Sequence, residues 1–180
     1  MANTFVALAT VTVGSGGAAN IEFTSIPATY TDLLVKFSVR TDYASNRDYV
    51  SYRLNGSSSN YSIRWLATFD NASPSSGNAS SQSYGGLNVT SSATATSNTF
   101  GNGEIYIPNY TGSTNKSISL DSVAENNSST LYALSLSAGL WSDTSAITSI
   151  SLYPGGGAAY GTSGNFVQYS TATLYGIKNS

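Results

Sequence analysis

The sequence predicts an all-β fold, an antiparallel β-sandwich of jelly-roll-like type with about eight to ten strands in a single domain over residues 1–180. Three observations predict it. Apolar residues recur with period two in almost every segment, and no stretch keeps a 3.6 period for three turns. Gly, Asn and Pro punctuate the segments at short, regular intervals. The chain also combines 33 Ser, 20 Thr and 16 Asn with 13 Tyr, 6 Phe and 2 Trp. Disordered segments lack such aromatics, whereas a sheet with Ser and Thr outside and Val, Ile, Leu and Tyr inside accommodates both groups.

The elements follow in chain order. From Phe5 to Val13 apolar residues occupy both phases, a strand covered on both sides. Such cover comes either from a partner or from the domain's own layers, and both readings stand. A short segment at 20–25 comes next. Leu33, Val35, Phe37 and Val39 then alternate with Lys36, Ser38 and Arg40, a half-buried strand. After a strand at 48–54, Asn55-Gly56 is the strongest hairpin signal, because a type I′ turn needs positive φ at both central residues. Tyr61, Ile63, Trp65, Ala67 and Phe69 line one face of the following strand.

Residues 70–99 are mostly Ser, Asn, Gly, Ala and Thr, and read as two loops around a small edge strand carrying Tyr84, Leu87 and Val89. Strands at 103–108 and 116–124 follow. In the next strand Tyr132, Leu134, Leu136, Ala138 and Leu140 share a phase, with Ser135 and Ser137 behind them, so the leucine phase is expected to be buried. Segments at 146–153 and 166–177 complete the set. The faces carrying Phe37, Trp65 and Leu136 are the expected core.

Charge and composition narrow the chemistry. Charged residues make up 9%, the net charge is −2, and there is neither His nor Cys. That excludes an imidazole general base, the usual zinc and haem ligand sets, a thiol nucleophile and a disulfide framework. Seven scattered cations do not build a nucleic-acid footprint. The N-terminal residues lack the basic start and apolar run of a secretory signal, and no window reaches bilayer-spanning length. A soluble protein made in a host cytoplasm, without a membrane partner, is the expectation.

Candidate sites are few. Glu104, Asp121 and Glu125 lie on neighbouring strands, where a glycosidase would need two carboxylates at a set separation. Nothing in their spacing is specific, so solvated strand-face charges are expected and no catalytic residue is assigned. Asp32, Asp42 and Asp48 gather oxygen ligands in sequence, but Asp42–Asp48 lacks the glycine and acid density of a calcium loop, and Arg47 opposes a cation. Turn capping or ion pairing is expected, and neither metal nor cofactor. The Gly155–Gly161 run lacks the Lys and Ser/Thr of a phosphate loop. Asn-x-Ser/Thr triplets such as those at Asn60 and Asn88 follow from composition. That leaves an interface: Tyr43, Tyr49, Tyr84, Tyr110 and Tyr160 beside loops, where tyrosine offers contact area at low entropy cost, and Phe5, Leu8 and Val11 on the first strand.

Several segments carry a resemblance. Phe5-Val-Ala-Leu-Ala-Thr-Val-Thr-Val13 leads through a Gly-rich turn into Ile21-Glu-Phe-Thr-Ser-Ile-Pro27. Thr29-Tyr-Thr-Asp-Leu33, Ile105-Tyr-Ile-Pro-Asn-Tyr110, Ile147-Thr-Ser-Ile-Ser-Leu152 and Tyr169-Ser-Thr-Ala-Thr-Leu-Tyr-Gly-Ile177 follow. Over nearly the whole chain this resembles the small β-sandwich virion proteins of tailed bacteriophages, especially environmental and cyanobacterial ones. The resemblance implies a non-enzymatic virion structural protein. Its expected role is a capsid decoration (cement) protein that binds the head as a homo-oligomer, with threefold junctions the expected seats. The partners it implies are further copies of the chain and the major capsid protein or another virion protein. Two alternatives stay open: a tail, baseplate or fibre module binding host-surface glycan, and a β-sandwich glycosidase or depolymerase.

Overall fold

The computed structural model describes residues 4–70, 72–128, 132–155 and 164–178. Its strands are β1 (Phe5–Thr12), β2 (Ile21–Phe23), β3 (Asp32–Val39), β4 (Arg47–Leu54), β5 (Tyr61–Phe69) and β6 (Ser75–Gln82). They continue with β7 (Gly85–Ser91), β8 (Gly101–Ile107), β9 (Lys116–Ala124), β10 (Ala133–Trp141), β11 (Ile150–Pro154) and β12 (Thr171–Ile177). No helix occurs among the described residues. Two antiparallel sheets result. One runs β1-β12-β3-β8-β9-β10-β5-β6 and the other β2-β11-β4-β7.

The core lies between the sheets and follows the period-two pattern. Leu33, Val35, Phe37 and Val39 of β3 are buried, with Ile105 and Ile107 of β8 and Ile118 and Leu120 of β9 beside them. Val50, Tyr52 and Leu54 of β4 and Ile150 and Leu152 of β11 meet them from the smaller sheet. Tyr61 stacks on Trp141, ring centroids 6.3 Å apart, and meets Tyr52 edge-on at 6.0 Å. The inward face of β5 is the one its alternation predicts, with Tyr61, Ile63 and Ala67 buried, although Trp65 and Phe69 on the same phase are only half-buried.

β10 departs from expectation. Its leucine phase faces solvent, with Leu136 59% exposed, while Ser135 and Ser137 face inward with Ala133 and Trp141. The reason is β7, which is buried throughout and lies across β9 and β10. As the edge of the smaller sheet, β7 has backbone groups that its one neighbour β4 does not engage. The serines of the large sheet take them. Val89 N–H donates to Ser122 Oγ at 2.7 Å, and Ser135 Oγ donates to the Leu87 carbonyl at 2.8 Å. A leucine at 135 would fill the space that this close approach needs and leave the carbonyl only the long Ser137 Oγ–H bond at 3.5 Å. Backbone satisfaction therefore overrides the apolar count along β10.

Three other expectations change. Leu54-Asn55-Gly56-Ser57 is the anticipated turn, with positive φ at Asn55 and Gly56 and Ser57 N–H on the Leu54 carbonyl at 2.9 Å. It carries the chain from β4 in one sheet to β5 in the other rather than closing a hairpin. The interval 70–99 holds two strands, since β6 covers the open edge of β5 as well as β7 forming the edge of the smaller sheet. β1 is an edge strand, paired only with β12, from Phe5↔Ile177 to Thr12↔Thr171. Its domain covers it on one side only: Leu8 and Val11 pack against the core, and Phe5 stays exposed. A register shift between Ala7 and Ala9 irregularises this open edge, a common protection against edge-to-edge pairing.

The loop after β7 is tied to β3 by the side chain of Arg40, beside backbone bonds from Ser92, Ala93 and Thr94 to Asn46, Tyr43 and Ser45. Arg40 donates from its guanidinium to the carbonyls of Ala93, Ala95, Thr96 and Thr99 at 2.8–3.3 Å. A planar fork with five donors reaches four carbonyls where an ammonium point donor cannot.

Candidate functional site: the outer face of the large sheet

The sequence-derived candidates scatter. Tyr110 is fully buried and donates its hydroxyl to the Pro27 carbonyl, so it plugs the core rather than presenting an interface. Tyr84 is also buried, with the Arg53 guanidinium 3.9 Å from its ring centroid and Tyr153 edge-on at 5.7 Å. Tyr49 is half-buried against Phe69, and the half-buried Tyr43 accepts Ala93 N–H on its carbonyl. Tyr160 and most of the Gly155–Gly161 run lie outside the described residues. Of the first-strand candidates Phe5 is 55% exposed, while Leu8 and Val11 are half-buried against the core.

The acidic candidates also separate. Asp32 is buried and accepts Tyr106 Oη–H and Asn109 N–H, each at 2.8 Å. Asp42 caps a turn, accepting Asn165 N–H at 2.7 Å, and Asp48 is buried on β4. No group of three metal-ligating side chains forms among the described residues. Glu125 accepts Asn127 N–H at 2.7 Å in the turn after β9. Glu104 and Asp121, by contrast, do come together, directly opposite one another on β8 and β9.

They belong to one row of the outer face, which the registers define. Across β3, β8, β9, β10 and β5 it reads Lys36, Glu104, Asp121, Leu136, Leu66. Lys36 pairs with Glu104 at 3.2 Å. Asp121 sits between that pair and the apolar side. Partial burial and the neighbouring Glu104 carboxylate raise its pKa above the ordinary aspartate value, against the weaker pull of Lys36. An open depression of about 420 Å³ extends from this row, lined by Lys36, Asn102, Glu104, Asp121, Thr171 and Thr173 among others.

The other half of the face is apolar. Leu136 stands opposite Leu66, and Leu134 opposite Val123, so two cross-strand pairs adjoin on β9, β10 and β5. All four are 48–59% exposed. Single exposed leucines are ordinary, but a contiguous exposed cluster on adjoining strands is uncommon at a protein surface. Ala138 and Arg64 form the next cross-strand pair along, which places a guanidinium at the rim of the cluster. Arg64 donates to its own Ile63 carbonyl at 2.9 Å and pairs with no carboxylate among the described residues.

Sequence reasoning missed this cluster. One signal was present: Trp141, the largest side chain of β10, shares its phase with Ser135 and Ser137, and Leu66 and Val123 are each out of phase with the buried residues of their own strands. No family model, curated protein or solved structure matches the chain.

Proposed function

We propose that this chain is a non-enzymatic structural protein of a phage virion, a decoration-type sandwich that acts as an oligomer seated on a larger assembly. The observation that carries the assembly role is the exposed cluster of Leu66, Val123, Leu134 and Leu136. Left in water, four large apolar side chains forgo roughly 25 cal/mol for each Å² that a partner would cover. The virion setting comes from the resemblance of the strand and turn segments to small phage sandwiches. The jelly-roll-like wrap belongs to the same reading, favoured by nested pairing of N-terminal with C-terminal strands, β1 with β12 and β2 with β11.

Localising the chain in purified particles by labelled antibody and whole-particle reconstruction tests the role. Density at capsomer junctions is expected. Attachment through apolar and hydrogen-bonding contacts should persist as salt rises from about 50 to about 500 mM, because screening weakens only exposed charges. Absence from particles, or quantitative release over that salt range, would overturn the reading.

A second reading has its own observation. The polar depression around Lys36, Asn102, Glu104 and Asp121 has the hydrogen-bonding groups that a glycan would use. Binding on a glycan array that disappears in Asp121→Asn would favour a host-binding tail or fibre module. Reducing sugar released from host polysaccharide, and lost in Glu104→Gln, would instead favour a hydrolase.

A further inference from the structure

We propose that the apolar outer face of the large sheet is covered by the same face of a second copy, through a two-fold axis beside Leu136. This rests on the proposed function only in taking the face as an interface; it names the occupant.

The argument is the arrangement of charge around the cluster. Asp121 and Arg64 flank β10 on opposite sides, on β9 and β5, which are two inter-strand steps or about 10 Å apart. Asp121 is opposite Leu136, and Arg64 is opposite Ala138, one same-face step along. Neither has an ion-pair partner among the described residues, where the only pairs are Lys36–Glu104 and Arg47–Asp70. One apolar ridge thus carries a free anion on one flank and a free cation on the other.

That pattern complements itself. A two-fold axis lying between facing sheets exchanges the flanks, so each copy's Arg64 meets the other's Asp121 and each Leu66 meets the other's Leu136. Two such pairs form at once, as an isologous contact requires. Ala138 and Ser119, small residues that share the row of Arg64 and adjoin the row of Asp121, leave room for the arriving side chains. Asp121 gains most, since its present neighbours are a carboxylate and a lysine already engaged by that carboxylate. A different chain would need a matching pattern of its own to serve both flanks.

Sedimentation of the purified protein tests this, with concentrations raised to about 100 µM so that even weak dimers register. A dimer is expected, with Leu136→Asp monomeric and still showing the β-sheet circular dichroism of the parent. Arg64→Asp and Asp121→Arg should each weaken the dimer about ten-fold, since each places like charges together twice. Mixed one to one, these two variants should form a heterodimer, because both contacts are then complementary again. That rescue does not depend on how stable either variant is alone.

A monomer at every concentration would overturn the inference, as would a trimer, a dimer indifferent to Leu136→Asp, or a mixture that fails to associate. A monomer that still seats on particles, and loses them in Leu136→Asp, would overturn the second copy as occupant and leave the virion role standing. A dimer absent from particles would do the reverse.

Discussion

Ser122 and Ser135 stand opposite one another on β9 and β10, their hydroxyl oxygens 2.8 Å apart in the interior. Counting protons fixes the direction of this bond. Ser135 gives its only proton to the Leu87 carbonyl, so Ser122 must be the donor to Ser135, while its own oxygen receives Val89 N–H. The relay starts and ends on the backbone of one strand, β7. Two serines thereby do for this sheet edge what another strand would otherwise do.

Ser135→Ala should destabilise the protein by about 1–3 kcal/mol, the cost of leaving a buried carbonyl with only the long Ser137 bond. Ser122→Ala should cost a similar amount, and the double variant less than the sum, because either change already breaks the relay. Urea unfolding midpoints of the three variants provide the check. Strict additivity would mean that the hydroxyls act separately.

Leu136→Ala should change stability by less than about 0.5 kcal/mol in dilute monomer, since its side chain is mostly in water. Ile105→Ala, at a fully buried position, should cost about 2–5 kcal/mol. The same denaturation series compares them. Equal costs would mean that the phase of β10 is the reverse of that described.

Arg40→Ala should cost about 2 kcal/mol and expose the amides of the loop after β7 to hydrogen exchange, with β9 and β10 still protected. Arg40→Lys should recover little, because one ammonium cannot reach four carbonyls. Unchanged exchange in the loop would show that other contacts hold it.

Stability should fall in alkali. Burial pushes the Tyr61 phenol up to about 12, from an ordinary value of 10.0, and the fully buried Tyr52 shifts further in the same direction. Both folded values lie above the unfolded one, so the contribution is intact below about pH 10 and is lost as pH rises through the folded values. Absorbance at the tyrosinate band should show these two rings ionising only with unfolding. Tyr52 Oη has no hydrogen-bond partner among the described residues. Tyr52→Phe should therefore be neutral or stabilising by up to about 1 kcal/mol and should reduce the alkaline loss.

Legibility in the sequence followed the physics of each element. β9 coincides with its expected span because Lys116, Ile118 and Leu120 alternate with serines and nothing competes with that pattern. β6 was invisible: Ser75–Gln82 has one alanine and no larger apolar residue, and it is a strand because β5 offers it an edge. Tyr110 reads in sequence as a loop residue, within the turn from Asn109 to Gly112, yet a single carbonyl at Pro27 gives its hydroxyl a reason to enter the core. The outer cluster could not be read strand by strand, because it exists only in the register of β9, β10 and β5. Glu104 and Asp121 were legible as candidates, but their juxtaposition was a matter of pairing.

The pairing of β1 with β12 also sets how the domain bears load. Phe5 and Ile177 face each other at one end of an antiparallel ladder. A pull separating those two residues acts across the ladder rather than along it, so it opens hydrogen-bonded pairs one after another, as a zipper opens. A pull between Phe5 and a residue at the far end of β12, such as Thr171, instead loads the pairs together in shear. The same domain is therefore mechanically weak along one axis and strong along another, and an assembly that tensions it would withstand strain only if its anchors straddle the ladder.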